Sequence, residues 1–197
     1  MCSCCMPPKR AKVKGNKKEQ LLIILIPITI AVASGLYILH LGLPTQSETQ
    51  TGVEGSNIGV TVGSNALDFT LTDIEGRTFR LSDHKGHIVI INFMATWCAP
   101  CAVQTSNLNQ VYSSYASRGV VIISIDITPT ATNEMLREYK NSSGAEWIFA
   151  LGSDVGIKYQ VLSVPTVVIV DRTGVIRFRE SGITSASTIA NVINNIQ

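Results

Sequence analysis

Apolar and polar positions divide the chain into stretches of different character. Residues 1–20 are polar and basic, residues 21–43 are apolar at almost every position, and from Ala66 onward apolar residues recur in short regular patterns. Between the last two lies 44–60, PTQSETQTGVEGSNIGV, whose Thr, Ser, Gln, Glu and Gly read as a flexible tether. In the periodic part, Phe69 and Leu71 precede Asp73-Ile74-Glu75-Gly76, and Phe79 and Leu81 follow it, which predicts two short strands joined by a turn. His87 to Phe93, HIVIINF, is an unbroken apolar run rich in β-branched residues, as expected of a strand covered on both faces. Cys98 to about Ser117 has helical spacing, with Val103, Leu108, Val111 and Tyr115 on one broad face, and Arg118-Gly119 closes it. Val120 to Ile125 is a second buried strand, so the unit is β-α-β with parallel pairing. Thr132 to Tyr139, capped near Thr130 or Thr132, predicts a helix with Met135, Leu136 and Tyr139 inward, and Asp154 to Tyr159 a shorter one. Thr166 to Val170 is a strand, Asp171-Arg172-Thr173-Gly174 a tight turn, and Val175 to Phe178 an antiparallel return. Ser185 to Ile196 closes with a helix that repeats Ile189, Val192, Ile193 and Ile196. Hairpin, β-α-β, helical excursion and β-β-α together predict an α/β domain, a mixed central sheet with helices on both faces.

The apolar stretch Leu21–Leu43 has no formally charged residue and would measure about 34 Å as a helix at about 1.5 Å per residue. That is enough to cross a hydrocarbon core of about 30 Å, and Tyr37 and His40 near its far end suit an interface. A buried core helix would not need apolar residues on every face. A cleaved signal peptide competes, because Lys17 and Lys18 precede the run and Ala31-Val32-Ala33 fits a cleavage pattern, but the apolar character continues well past that site. Charge then gives the span a direction. The whole chain of 197 residues has a net charge of +2, but the first twenty residues hold six Lys/Arg and one acid, net +5, and the rest hold ten and thirteen, net −3. The positive-inside bias therefore predicts a single-pass protein of the cell membrane, N-terminus inside and C-terminal domain outside. So small a net charge also argues against a nucleic-acid partner.

Five cysteines fall on the two sides of this span. Cys2, Cys4 and Cys5 read as a reduced tail without a role, an S-acylation site, or a soft-metal set lacking a fourth ligand. Cys98-Ala99-Pro100-Cys101 sits where a buried strand gives way to the first turn of a helix. Unpaired N–H groups and the positive end of the helix dipole favour a thiolate on Cys98, the nucleophile, and Cys101 is one turn in, placed to resolve a mixed disulfide. Pro100 occupies the first turn, where its missing N–H costs nothing. Trp97 would shield one side of the pair and offer an apolar contact. A zinc knuckle would need a second ligand pair, which the domain lacks, and so small a ring staples little. Asn92 is a polar residue in an apolar strand, either a satisfied core amide or a hydrogen-bonding group near the resolving cysteine. A cis bond before Pro165 would turn the Val164 backbone toward the cysteines, where it could bond an extended substrate segment.

With I-N-F-M-A-T-W-C-A-P-C followed by V-P-T-V-V-I-V-D-R-T-G-V-I, residues 61–197 resemble the thioredoxin-like family. The resemblance is strongest to its membrane-anchored extracytoplasmic thiol-disulfide oxidoreductases, the cytochrome c maturation or TlpA-like branch. It implies a thioredoxin-like sheet with an N-terminal hairpin, behind one transmembrane helix that acts as a signal-anchor. The layout would be a basic cytoplasmic tail at 1–20, the helix at 21–43, the tether at 44–60 and the domain at 61–197. It implies a redox-active Cys98/Cys101 disulfide, Trp97 as flanking aromatic, a cis Pro165, and a substrate site around Trp97, Pro100, Val164 and Pro165. It calls for no cofactor and no metal. Partners would be extracytoplasmic thiol or disulfide proteins, a membrane electron supplier, and lipid along 21–43. Asn92 stands where cytoplasmic thioredoxins bury an acid, and Asp126 is either an ordinary strand-end acid or a proton-handling carboxylate.

Two other functions compete. A thiol peroxidase shares the fold and would use Thr96, but no suitable Arg lies near it. A metal-delivery protein would pair the cysteines with a later His, and none follows His87.

Overall fold

A computed structural model describes residues 57–196. The predicted tail, the span at 21–43 and most of the tether lie outside the described residues, and none of the described helices is long and apolar enough to cross a membrane.

Five strands form the central sheet in the order β7-β6-β5-β8-β9. The middle strand β5 is Ile88–Met94, buried at every position, and it pairs in parallel with β6, Val120–Asp126, from Ile88↔Val120 to Met94↔Asp126. On its other side β8, Thr166–Val170, runs antiparallel, followed by β9, Ile176–Ser181. The remaining strand, β7 at Ile148–Leu151, pairs in parallel with β6 and was not anticipated from the sequence. Outside the sheet, the predicted hairpin is β3, Thr70–Thr72, with β4, Thr78–Arg80, in register Leu71↔Phe79. Its turn docks on β7 through the Asp73↔Ala150 bridge. The end of the stretch read as a tether also joins the domain: β1, Ile58–Gly59, pairs in parallel with β2, Asn65–Ala66.

Side chains alternate across the sheet and feed two cores. Ile88, Ile90 and Met94 face the layer of α1 (Ala99–Tyr115), α2 (Asn133–Ser143) and α4 (Ala186–Asn195), meeting Leu108, Val111, Leu136, Ile189 and Ile193. Val89, Ile91 and Phe93 face the hairpin and the short α3 (Ser153–Lys158), meeting Phe69, Phe79, Val155 and Tyr159. Two predicted inward positions are corrected: Val103 on α1 and Met135 on α2 are exposed. The buried stripe of α1 instead begins with Cys101, in a disulfide, and with Gln104 and Thr105, whose side-chain oxygens find hydrogen bonds. Gly119, at φ 80°, ends the connection after α1, since the left-handed region is open to glycine.

Candidate active site

Parallel β5 and β6 end side by side, and their following loops leave the sheet at one edge. Cys98 is the N-cap of α1, with Pro100 in its first turn. The Cys101 N–H points at Cys98 Sγ at 3.2 Å, so the cap is a sulfur. Cys98 and Cys101 are joined as a disulfide. Their burial differs in kind: Cys101 is 0% exposed and sealed behind the helix, while Cys98, 5% exposed, lines a groove of about 550 Å³.

That groove collects most of the residues read from the sequence. Trp97 stands on one wall, 71% exposed, and its indole Nε1 donates to Thr128 Oγ1 at 3.2 Å. Ala99 and Pro100 continue that wall, while Val161, Leu162, Ser163 and Val164 form the other. The Val164–Pro165 bond is cis, and the Val164 carbonyl oxygen lies 3.7 Å from Cys98 Sγ. None of the groove-lining residues carries a formal charge. Ile127, Thr128 and Pro129 follow the candidate Asp126 directly in the chain and Ser163 precedes Val164, but Val161 and Leu162 gave no sequence signal. An exposed Leu162, at 97%, has no periodic partner to betray it.

Asp126 lies behind the groove, fully buried at the end of β6. One carboxylate oxygen accepts the Thr96 N–H at 2.9 Å, and the other accepts the Thr128 N–H at 2.8 Å. It therefore ties the loop leading into Trp97 and Cys98 to the loop that holds the indole. Nearby, the Tyr139 hydroxyl and Thr105 Oγ1 are 2.9 Å apart, and Thr105 also donates to the Cys101 carbonyl at 3.0 Å. Burial pushes the Tyr139 phenol up; the Thr105 bond opposes this, and the Asp126 charge adds to it. Asn92 is placed differently. Its Nδ2 donates to Ser124 Oγ at 3.2 Å, and that hydroxyl also accepts the Trp147 indole N–H at 2.9 Å, within the core. Its Oδ1 has no partner among the described residues.

The loop after β9 completes the frame. Gln104 Oε1 accepts the Thr184 N–H at 2.7 Å, and Gly182 N donates to the Pro165 carbonyl at 2.7 Å. The segment opposite Cys98 is thus braced to the helix that carries the cysteines. Sequence reading missed Gln104, because a buried amide inside a helix breaks no pattern.

Comparison with known proteins places this arrangement. The AhpC/TSA family model matches residues 62–179. The chain belongs to the AhpC/TSA family. The thiol-disulfide oxidoreductase ResA of Bacillus thuringiensis subsp. konkukian is 31% identical over 164 residues, which is 80% of this chain and 86% of that protein. The ResA of Geobacillus thermodenitrificans is 27% identical over 184 residues, 92% of this chain and 99% of that one. For fold alone, the thioredoxin domain of a thiol-disulfide oxidoreductase from Bacteroides vulgatus superposes with a TM-score of 0.63 at 22% identity, covering 71% of this chain and all of that domain. This AhpC/TSA member is a thioredoxin-fold thiol-disulfide oxidoreductase of the ResA branch, an enzyme with a redox-active C-x-x-C pair.

Proposed function

We propose that the protein is held in the cell membrane by residues 21–43 and exchanges disulfides with extracytoplasmic proteins, Cys98 attacking and Cys101 resolving. The difference in burial between the two sulfurs carries this assignment: only Cys98 borders the groove. In the reduced enzyme a Cys98 thiolate would keep the Cys101 N–H donor and the field of the α1 N-terminus, both of which favour the anion. It attacks one sulfur of a client disulfide, the client S–S bond breaks, and the leaving client sulfur takes a proton. Cys101, as thiolate, then attacks Cys98 Sγ. The mixed disulfide breaks, the second client sulfur leaves and is protonated, and the Cys98–Cys101 bond forms. Two electrons pass from the pair to the client, and a membrane thiol carrier returns them. Run backwards, the same steps oxidise a client dithiol, and the reduction potential of the pair against its compartment sets the direction.

Trp97 and the 161–164 segment would grip the client, with the Val164 backbone facing its extended chain. Asp126 acts through the two backbone N–H groups it holds, as a positioning residue. Asn92 acts through Ser124 and the core. Cytochrome c maturation is the process that the branch resemblance implies. The test is a measured potential together with trapping: Cys101→Ser should accumulate a mixed disulfide with a protein substrate, and Cys98→Ser should form none. Equal trapping by both variants would sink the assignment.

A further inference from the structure

At the other end of the sheet, where β5 and β6 begin and β8 ends, three loops meet. Gly86 N donates to the Arg172 carbonyl at 3.0 Å, and His87 Nδ1 lies 3.0 Å from the Gly119 carbonyl, so 85–87, 116–119 and 171–174 form one surface. Lys85, His87, Arg118 and Arg172 are all exposed on it. Elsewhere in the domain most cations are matched: Arg77, Arg137, Lys140, Lys158 and Arg177 each pair with a carboxylate, and Arg179 donates to the Tyr159 and Gln160 carbonyls, while Arg80 has no ion pair among the described residues. Among the described residues, Lys85 and Arg172 have no ion pair, and Arg118 stacks on the Tyr115 ring at 4.8 Å. Three acids lie nearby: Asp68 accepts the Ser82 N–H at 3.0 Å and its hydroxyl at 2.8 Å, exposed Asp83 accepts the Arg80 N–H at 2.8 Å, and buried Asp171 is paired with Arg177. Beside these cations stand two exposed apolar side chains, Ile58 at 61% and Val62 at 59%. The described chain also begins here, because β1 pairs with β2 and Asn65 bridges to Val175.

We propose that this surface docks on the anionic lipid of the membrane that anchors the protein, an inference that rests on the anchor reading above. Lys85 and Arg172, without ion pairs and next to exposed aliphatic side chains, present the chemistry of a phosphate-bearing interface, the cations meeting headgroups and the aliphatics entering the acyl boundary. Length supports contact: on the anchor reading only thirteen residues, 44–56, separate the span from the described domain, and so short a connection keeps the surface at high effective concentration beside the bilayer. The cysteine pair lies beyond the far end of β5, whose seven residues span roughly 20 Å. Docking therefore turns Cys98 toward the aqueous compartment, so soluble clients reach the groove without displacing lipid. A membrane-embedded electron supplier would need either to extend above the bilayer or to wait for undocking.

The experiment uses the full chain in nanodiscs of phosphatidylcholine alone or mixed with phosphatidylglycerol, with hydrogen exchange read in the loops at both ends of the sheet. Exchange at 85–87 and 171–174 should slow several-fold in the anionic discs only, and the slowing should vanish at high salt and in Lys85→Glu/Arg172→Glu. The loops at 127–129 and 161–164 should exchange equally in both discs. Unchanged protection of β5 and unchanged reaction with dithiothreitol verify that the variant is folded. Equal exchange at the basic loops in both discs, or slowing at the cysteine end instead, overturns the proposal. If the chain fails to enter neutral discs, the anchor reading falls, and flotation with anionic vesicles judges the surface alone. A loss of about tenfold or more in the double variant would then support it, and equal flotation would overturn it.

Discussion

Replacing Asp126 by Asn is the sharpest probe of how the groove is held. The side chain is fully buried, and its two oxygens accept backbone N–H groups from Thr96 at 2.9 Å and Thr128 at 2.8 Å. An asparagine of the same shape keeps one acceptor but presents an NH2 group to the second N–H. One hydrogen bond to a charged group, worth about 1.5–3 kcal/mol, is lost, and a buried donor is left facing another donor. The expected destabilisation is about 2–4 kcal/mol, a large part of a total of roughly 5–15 kcal/mol, measured by denaturant unfolding followed by tryptophan fluorescence. Chemistry should change selectively. Trp97 hangs on the hydroxyl of Thr128, so loosening that loop weakens one wall of the groove without touching either sulfur. Exchange with a protein disulfide should slow while reaction with dithiothreitol stays near the wild-type rate. A variant within about 0.5 kcal/mol of wild type, or one slowed equally toward both substrates, refutes the reasoning.

Further outcomes follow from other contacts. Trp97→Ala, at an exposed site, should leave the unfolding free energy within about 0.5 kcal/mol of wild type and cut the rate with protein disulfides; Leu162→Asp should act alike by placing a charge in an uncharged groove, checked by comparing protein and small-molecule substrates. Burial pushes the Asp171 carboxyl up, but bonds from the Thr173 hydroxyl, the Val175 and Thr173 N–H groups and Arg177 outweigh it and hold it below the usual range. Its contribution to stability is therefore complete above the ordinary aspartate pKa of about 3.9 and is lost as pH falls through the depressed folded value, so Asp171→Asn should flatten the acid limb of a stability-against-pH curve. Tyr159→Phe removes the hydroxyl that donates to the Leu67 carbonyl at 2.6 Å and should cost about 1–3 kcal/mol in thermal or denaturant unfolding. It should leave disulfide exchange intact, because Tyr159 packs in the core layer away from α1.

What could be read in advance had a local cause. Ile88–Met94 and Thr166–Val170 declare themselves because strands buried on both faces tolerate little but aliphatic residues. The cysteine pair was legible because a strand-to-helix junction supplies unpaired N–H groups whatever surrounds it. Ile148–Leu151 was not legible, since four residues at a sheet edge become a strand only through the partner β6 provides. The inward stripe of α1 misled for another reason: Gln104 and Thr105 are buried as polar groups with partners from distant Thr184 and Tyr139, and Cys101 is buried in its disulfide, while apolar Val103 faces solvent. Trp97, Val164 and Pro165 came together because tertiary contact, invisible to spacing, brings the loop before β8 to within 3.7 Å of Cys98.

The groove is built from loops and the first turn of α1, whereas the positions that hold the sheet together are strand residues sealed on both sides. On the proposed function, changes at Trp97, Thr128 or Leu162 would alter what is recognised, while changes at Ile90 or Phe93 would threaten folding without altering recognition. Client range, on that reading, and foldability are thus written in separate parts of the chain. A lineage can drift from one client to another through a few loop substitutions, each intermediate still a folded oxidoreductase with the same two sulfurs.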